Sequence, residues 1–340
     1  MNAAELKFKD CYALKELPYF KLNERGKIAL DLPDAPPIID MHTHLGFYFL
    51  AAPPIDYHRK TPSVKHNFPE RRAALDLSIY SGVNLTQVRR NGMFSDYSTT
   101  LFSNKGPNAT YTVPNLIAEM DRAGVEKSVV LALDLRFGSD ISGAYLDCTA
   151  GEDRLISFCG VNPFSSNWEK KMDDCVERGA RGLKVHPYAH MAPPSHPKVM
   201  KLLERWNKTG FPVLFHTSYN GLEPSFLRKF SGMEFYEEPI KSFPETNFVL
   251  GHAGMNFYPE AIKLVKTYEN AWLEIDGQPP HQIQDMIEQV GSERMLFGTD
   301  WPFYPLVMPL AKTLIATEGE PEARRNILSA NAYRLLGLDN

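Results

Sequence analysis

Cysteine is scarce: four residues in 340, Cys11, Cys148, Cys159 and Cys175, with no C-x-x-C pair. Neither a disulfide framework nor a cysteine zinc site is indicated, so any metal has to be held by histidine and carboxylate. Basic runs are missing as well. The 37 Lys and Arg residues stand against 41 Asp and Glu, a formal charge of -4, which argues against nucleic acid or an anionic membrane as partner. No apolar stretch approaches the ~20 residues a membrane helix needs. The opening MNAAELKFKDCYALKEL mixes charged and apolar residues and has no signal-peptide core. The expectation is a soluble, cytoplasmic protein, and a hydrophobic content of 43% is enough for a sizeable core.

What is present is a rhythm. Short runs rich in Val, Ile, Leu and Phe end in a polar or Gly/Pro cluster and are followed by an amphipathic stretch, as in a parallel sheet built from βα units. The runs fall at 37–44, 127–133, 155–161, 181–187, 212–218, 247–254, 271–276 and 294–300. Between them lie helical patterns such as PNLIAEMDRAG, HPKVMKLLERWNKTG and HQIQDMIEQVG, several opening on proline and closing on glycine. Eight strands alternating with helices predict an α/β fold, a (β/α)8 TIM barrel. Residues 1–36 read as an N-terminal arm and 37–340 as the barrel. Residues 321–338 form a terminal helix expected on its outside. One long insertion, 47–112, follows the first strand, too long for a structureless loop. Helices are expected in it at 70–82 and 85–92. It leaves the strand at the barrel mouth, where a lid would sit, and its apolar content must be buried on the barrel or on a second copy in a homodimer.

Five of the ten histidines, His42, His44, His186, His216 and His252, stand at C-terminal strand ends, where barrel active sites form. In DMHTH, side-chain alternation puts Asp40, His42 and His44 on one face, so two imidazoles can grip one ion. H-x-H alone is weak. His216 in LFHTS, His252 in LGHAG and Asp300 in FGTDWP strengthen it, because each ends an apolar strand with a metal-ligating or proton-moving group. A buried Asp300 carboxylate costs several kcal/mol unless a cation or donor pairs with it. Imidazole with carboxylate suits zinc, and also iron, nickel or manganese.

With these residues in this order, the chain resembles the amidohydrolase superfamily. The phrases GLKVHP, FHTS, GHAG, LFGTDWP and NILSANAYRLLGL are similar to the branch that includes aminocarboxymuconate-semialdehyde decarboxylase. The resemblance runs from Pro37 to Leu338 and weakens over the insertion. It implies one divalent metal, with Zn2+ the expected ion, on His42, His44, His216 and Asp300. It also implies His252 beside the metal-bound water and Asp300 as acceptor of the water's proton. Lys184 shares a face with His186. Either it is an ammonium that pairs with Asp40, Asp300 or a substrate carboxylate, or it is carboxylated and bridges a second metal, with His216 and His252 on that second ion.

Phe47, Tyr188, Tyr219, Asn256 and Trp301 follow the strand-end residues and would make an aromatic-rich pocket for a flat or unsaturated small molecule. Arg71, Arg72, Arg89 and Arg90 of the insertion are candidates for a carboxylate clamp. The leading expectation is a metal-dependent hydrolase of an amide, ester, lactone or related bond. The alternatives are a nonoxidative decarboxylase of an unsaturated or aromatic acid, and a barrel that binds metal or ligand without turnover.

Overall fold

The computed structural model describes residues 3–47, 55–89, 106–136, 140–219 and 223–339. Eight parallel strands form one sheet: β1 (Ile38–Thr43), β2 (Val125–Leu131), β3 (Leu155–Gly160), β4 (Gly182–Val185), β5 (Val213–His216), β6 (Phe248–Gly251), β7 (Ala271–Glu274) and β8 (Met295–Leu296). Each matches one of the eight predicted runs. The sheet closes on itself beyond β8, where the chain continues alongside β1. The Met41 N–H donates to the Phe297 carbonyl (2.9 Å), the Asp300 N–H to the His42 carbonyl (2.8 Å) and the His44 N–H to the Trp301 carbonyl (2.7 Å). Asp300 and His42 are therefore locked side by side by the hydrogen bonds that complete the barrel.

Strands covered on both faces must be apolar throughout, and β1 and β3 are buried at every position. One set of side chains, among them Ile39, Val129, Ile156, Leu214, Val249 and Trp272, meets in a single cluster drawn from strands all around the sheet. Only the barrel lumen lets them meet. Tyr333, Leu335 and Leu336 of the terminal helix Asn331–Leu336 join that cluster. Tyr333 also donates to Glu126, the second residue of β2, and Arg181, just before β4, donates to the Leu336 carbonyl. The terminal segment, expected to pack on the outside, thus closes the N-terminal end of the barrel.

The other strand faces pack on helices whose apolar residues recur at helical spacing. In Pro197–Trp206 the stripe is Val199, Leu202, Leu203 and Trp206, and the His196 ring accepts the Lys198 N–H at the N-terminus. In Val113–Ala123 it is Leu116, Met120 and Ala123, ended by Gly124 in the left-handed region. Each fully buried Val, Leu or Met among them contributes about 1.5–3 kcal/mol.

The arm packs its Leu14, Leu17, Phe20 and Ile28 into the main core and forms a hairpin of Phe20–Leu22 with Ile28–Leu30. Under this cover the helix Val307–Ala316 is buried on all sides. In the insertion, Ser81–Arg89 is helical, overlapping the helix expected at 85–92. The helix expected at 70–82 is not there. Ala73, Leu75 and Leu77 are buried while Ala74, Asp76 and Ser78 are not, a period of two, and Leu75–Asp76 pairs antiparallel with Lys7–Phe8. All four cysteines are buried and unbridged. Among the described residues no helix is long and apolar enough to cross a membrane.

Candidate metal centre

β1 delivers two imidazoles to the mouth. His42 Nδ1 contacts Glu274 Oε2 at 2.6 Å, and His44 Nδ1 contacts the Leu131 carbonyl at 2.8 Å. A ring with its Nδ1 proton engaged in this way presents Nε2 as a lone pair, the usual arrangement of a histidine that ligates a metal. Both Nε2 atoms approach Asp300 Oδ1, His44 at 3.5 Å and His42 at 3.8 Å. These three side chains form one grouping able to hold a cation. Asp300 has φ 54 and His252 has φ 60, both in the left-handed region where non-glycine residues are strained, and such strain gathers at functional sites.

β5 and β6 supply further imidazoles, and the His252 ring packs 4.6 Å from that of His42. His252 Nδ1 lies 2.5 Å from Asp276 Oδ2, and its Nε2 lies 2.9 Å from His216 Nδ1. The His216 ring stacks on His186 with centroids 4.1 Å apart and planes 9° apart. Tyr236 donates to the His216 carbonyl at 2.7 Å, and Gln278 Nε2 donates to the carbonyls of His252 (2.8 Å) and Met255 (3.0 Å). These bonds satisfy a backbone that has turned sharply after the strand.

The sequence-derived residues do not all converge. Of the four implied ligands, His42, His44 and Asp300 meet, whereas His216 groups with His252 and His186. Lys184 pairs with neither Asp40 nor Asp300. Its Nζ faces His42 Nε2 at 3.3 Å, and it lies behind the cavity rather than on its wall. Asp40 turns to β8, accepting the N–H groups of His42 and Thr299 at 3.0 Å and the Thr299 hydroxyl at 2.5 Å.

A cavity of about 250 Å³ opens above the site, lined by His44, His186, His216, His252 and Asp300. Tyr80, Leu133, Tyr188, Leu227, Phe303 and Tyr304 complete much of its wall. Of the predicted pocket residues only Tyr188 is on it. Tyr219 lines a neighbouring hollow and packs edge-on against Phe257; Asn256 is exposed; Trp301 is buried against Tyr111 and His66; and the Phe47 backbone is tied to Asn108 away from the cavity. Among the described residues neither Arg71 nor Arg72 turns to the cavity. Arg71 stacks on Tyr12, the Arg72 backbone bonds Asp10, the Arg89 side chain and Arg90 lie outside the described residues.

Glu274 and Asp276 are the functional candidates that the motif reading missed. The signal was in AWLEID: two acids at i and i+2 in an apolar strand carry the same burial cost that singled out Asp300. Burial governs the charges. It drives the imidazoles of His42, His186, His216 and His252 well below their ordinary values, helped by Lys184 and neighbouring rings. It also pushes the carboxyls of Glu274 and Asp276 up, and lowers the Lys184 amine to about 8 against the pull of Asp300, Glu274 and Asp276.

The donor set fits a metal. Besides the converging trio, the buried His216 Nε2 and His186 Nδ1 have no hydrogen-bond partner, and an unsatisfied buried polar atom costs ~1–3 kcal/mol that a bound cation recovers. Another grouping, His66, Glu70 and Glu119, encloses the Arg122 guanidinium, which already pairs with both carboxylates.

No curated protein matches the chain significantly. Solved structures with the same fold include an uncharacterised TIM-barrel protein from Bordetella bronchiseptica (19% identity, 88% of this chain and 98% of that one, TM-score 0.61). Two others are 5-carboxyvanillate decarboxylase from Sphingomonas paucimobilis (12%, 90% and 100%, 0.58) and 2,6-dihydroxybenzoate decarboxylase from Rhizobium (16%, 90% and 100%, 0.57). The family model for amidohydrolases matches residues 39–338. With its parallel eight-stranded barrel and strand-end histidines in place, the chain belongs to the amidohydrolase family.

Proposed function

We propose that this amidohydrolase-family enzyme is a metal-dependent hydrolase acting on an amide, ester or lactone of a small, flat organic acid. We assign one divalent metal, Zn2+, to His42, His44 and Asp300, with His216 as the fourth ligand. The observation that carries the reading is the approach of two Nε2 atoms to one Asp300 oxygen, with the His252 ring only 4.6 Å from that of His42. When bound, the ion acts as a Lewis acid and lowers the pKa of bound water from ~15.7 to ~7.

The protein's own groups divide the remaining work. Glu274 fixes the His42 ring through Nδ1. The Asp300 carboxylate accepts a proton from water at Oδ1 or Oδ2. His252, held neutral by burial and oriented through Nδ1 by Asp276, takes that proton from Asp300 on its Nε2 lone pair and delivers it to the leaving heteroatom, which returns Asp300 to the carboxylate. Tyr188, Tyr80 and Phe303 offer flat walls that position the substrate and exclude water.

A second reading, nonoxidative decarboxylation, draws support from the wall of the cavity. Tyr80, Tyr188, Phe303 and Tyr304 flank the strand-end histidines, which suits a planar aromatic acid. Metal analysis followed by two parallel assays on the zinc-loaded protein decides: proton release from an ester and lactone panel, and carbon dioxide release from hydroxybenzoates. Turnover of the first panel supports hydrolysis. Carbon dioxide release with a silent first panel transfers the assignment to a decarboxylase, and ligand binding without either leaves a binding barrel. A second equivalent of metal that appears only with bicarbonate would move Lys184 to the carboxylated bridge.

A further inference from the structure

Lys312, on the helix Val307–Ala316 that follows the barrel's last strand, is wholly buried and takes no part in the chemistry above. The charged form of an amine so placed costs several kcal/mol unless its protons are met. Three acceptors meet them below about pH 7, and above it the neutral amine keeps two N–H donors for the same shell. Nζ donates to the Ile79 carbonyl at 2.8 Å, to the Ser81 hydroxyl at 2.9 Å and to the Gly277 carbonyl at 2.9 Å. The first two acceptors flank Tyr80 in the insertion. The third belongs to the turn directly after Asp276, the partner of His252. The Ser81 N–H donates to the same Gly277 carbonyl at 2.9 Å, which ties insertion and turn together a second time.

Tyr80 is caught in this tie. Its ring lies so close on the turn that a Cβ at Gly277 would stand 2.7 Å from Cε2, and Gly277 has φ +75, so a glycine is required there on both counts. The ring lines the cavity together with Asp300 and Tyr304. Burial first, then Asp276, raises its hydroxyl well above the ordinary value. Most loops that border an active site vary in position, whereas this one is fixed by a buried three-way contact reached from the far side of the barrel wall.

We propose that Lys312 is a positioning residue that clamps Tyr80 of the insertion against the Asp276–Gly277 turn, and that the clamped ring sets the width of substrate the cavity admits. The inference rests on the reading of the cavity as the site for a small planar acid. A fixed ring admits one aromatic ring and refuses two fused ones, because displacing Tyr80 would break the buried contacts of Lys312.

The test uses the zinc-loaded protein with benzoate and 1-naphthoate as probes, each titrated calorimetrically. The native protein is expected to bind benzoate at least about tenfold more tightly than 1-naphthoate, the discrimination expected of a rigid apolar pocket. Tyr80→Phe keeps that ratio, and Tyr80→Ala brings the two acids within about threefold. Lys312→Met shifts the ratio in the same direction with Tyr80 intact and zinc content unchanged. Ser81→Ala, which removes only one acceptor, gives a smaller shift and decides the matter if Lys312→Met does not fold. A ratio changed by Tyr80→Ala but untouched by both Lys312→Met and Ser81→Ala, or by Ser81→Ala alone where the first is unfolded, overturns the clamp. A ratio untouched by Tyr80→Ala overturns the width gauge. Failure of the native protein to bind either acid overturns the acid-site reading, and this inference with it.

Discussion

Glu274 Oε2 lies 2.6 Å from His42 Nδ1, and the same oxygen accepts the His252 N–H at 3.1 Å. One carboxylate thus steers a β1 imidazole and pins the end of β6. Its other oxygen accepts the Asp276 N–H at 2.6 Å, and Gly298 presses so closely that a Cβ there would meet Glu274 Oε1 at 2.1 Å. Glu274→Gln should weaken metal affinity ~10–100-fold, as loss of a carboxylate behind a ligating histidine generally does. Competition with a chelator reads this directly, and an unchanged affinity would remove Glu274 from the metal's support.

His42→Ala and Asp300→Ala should lose bound metal and turnover together, since each deletes a converging ligand. His252→Asn should retain the metal while turnover falls by ~10²-fold or more, the usual scale for a proton-transferring group. Elemental analysis alongside rate measurement separates the two classes. Full metal retention at a normal rate in the Asp300 variant would sink the site assignment.

Asp40 is buried, its carboxyl is pushed up to about 7 by burial, and it accepts three hydrogen bonds from His42 and Thr299. Asp40→Asn keeps an oxygen for both N–H groups and should cost less than ~1 kcal/mol. Asp40→Ala leaves them unsatisfied and should cost about 2–6 kcal/mol, at ~1–3 for each of the two buried orphans. Equal losses in urea unfolding of the two variants would mean that the bonds contribute little.

Lys312 gives the stability a pH signature. Burial lowers its amine from 10.5 to about 7 against the pull of Asp276 and Asp76. Between those values the unfolded chain holds a proton that the folded chain has lost, so the Lys312 contribution to stability rises with pH from about 7 toward 10.5. Cysteines and tyrosines with raised values act in the opposite sense at the upper end, so the readout is native protein minus Lys312→Met between pH 7 and 9. The native protein should gain stability relative to the variant across that interval. A difference independent of pH would show that Lys312 stays charged.

The eight strands were legible because a strand buried on both faces must be apolar throughout, and the chain alternates such runs with helical stripes. The candidate chemistry was legible for a related reason: His42, His44, His252 and Asp300 each interrupt an apolar run at the end where barrel sites form. Where periodicity was misread, the information was still local, as in the alternation of Ala73, Leu75 and Leu77. Other features had no local trace. His42 and Glu274 are 232 residues apart, and their contact exists only because barrel closure brings β1 beside the strands that end the chain. The same closure gave Lys184 a histidine partner instead of a carboxylate, left His216 with His252, and placed Tyr80 on the cavity while Trp301 went into the core. Hydrophobic period determines which segments become strands and helices. Which polar group finds which partner depends on distances between segments, and those are set only when the sheet closes.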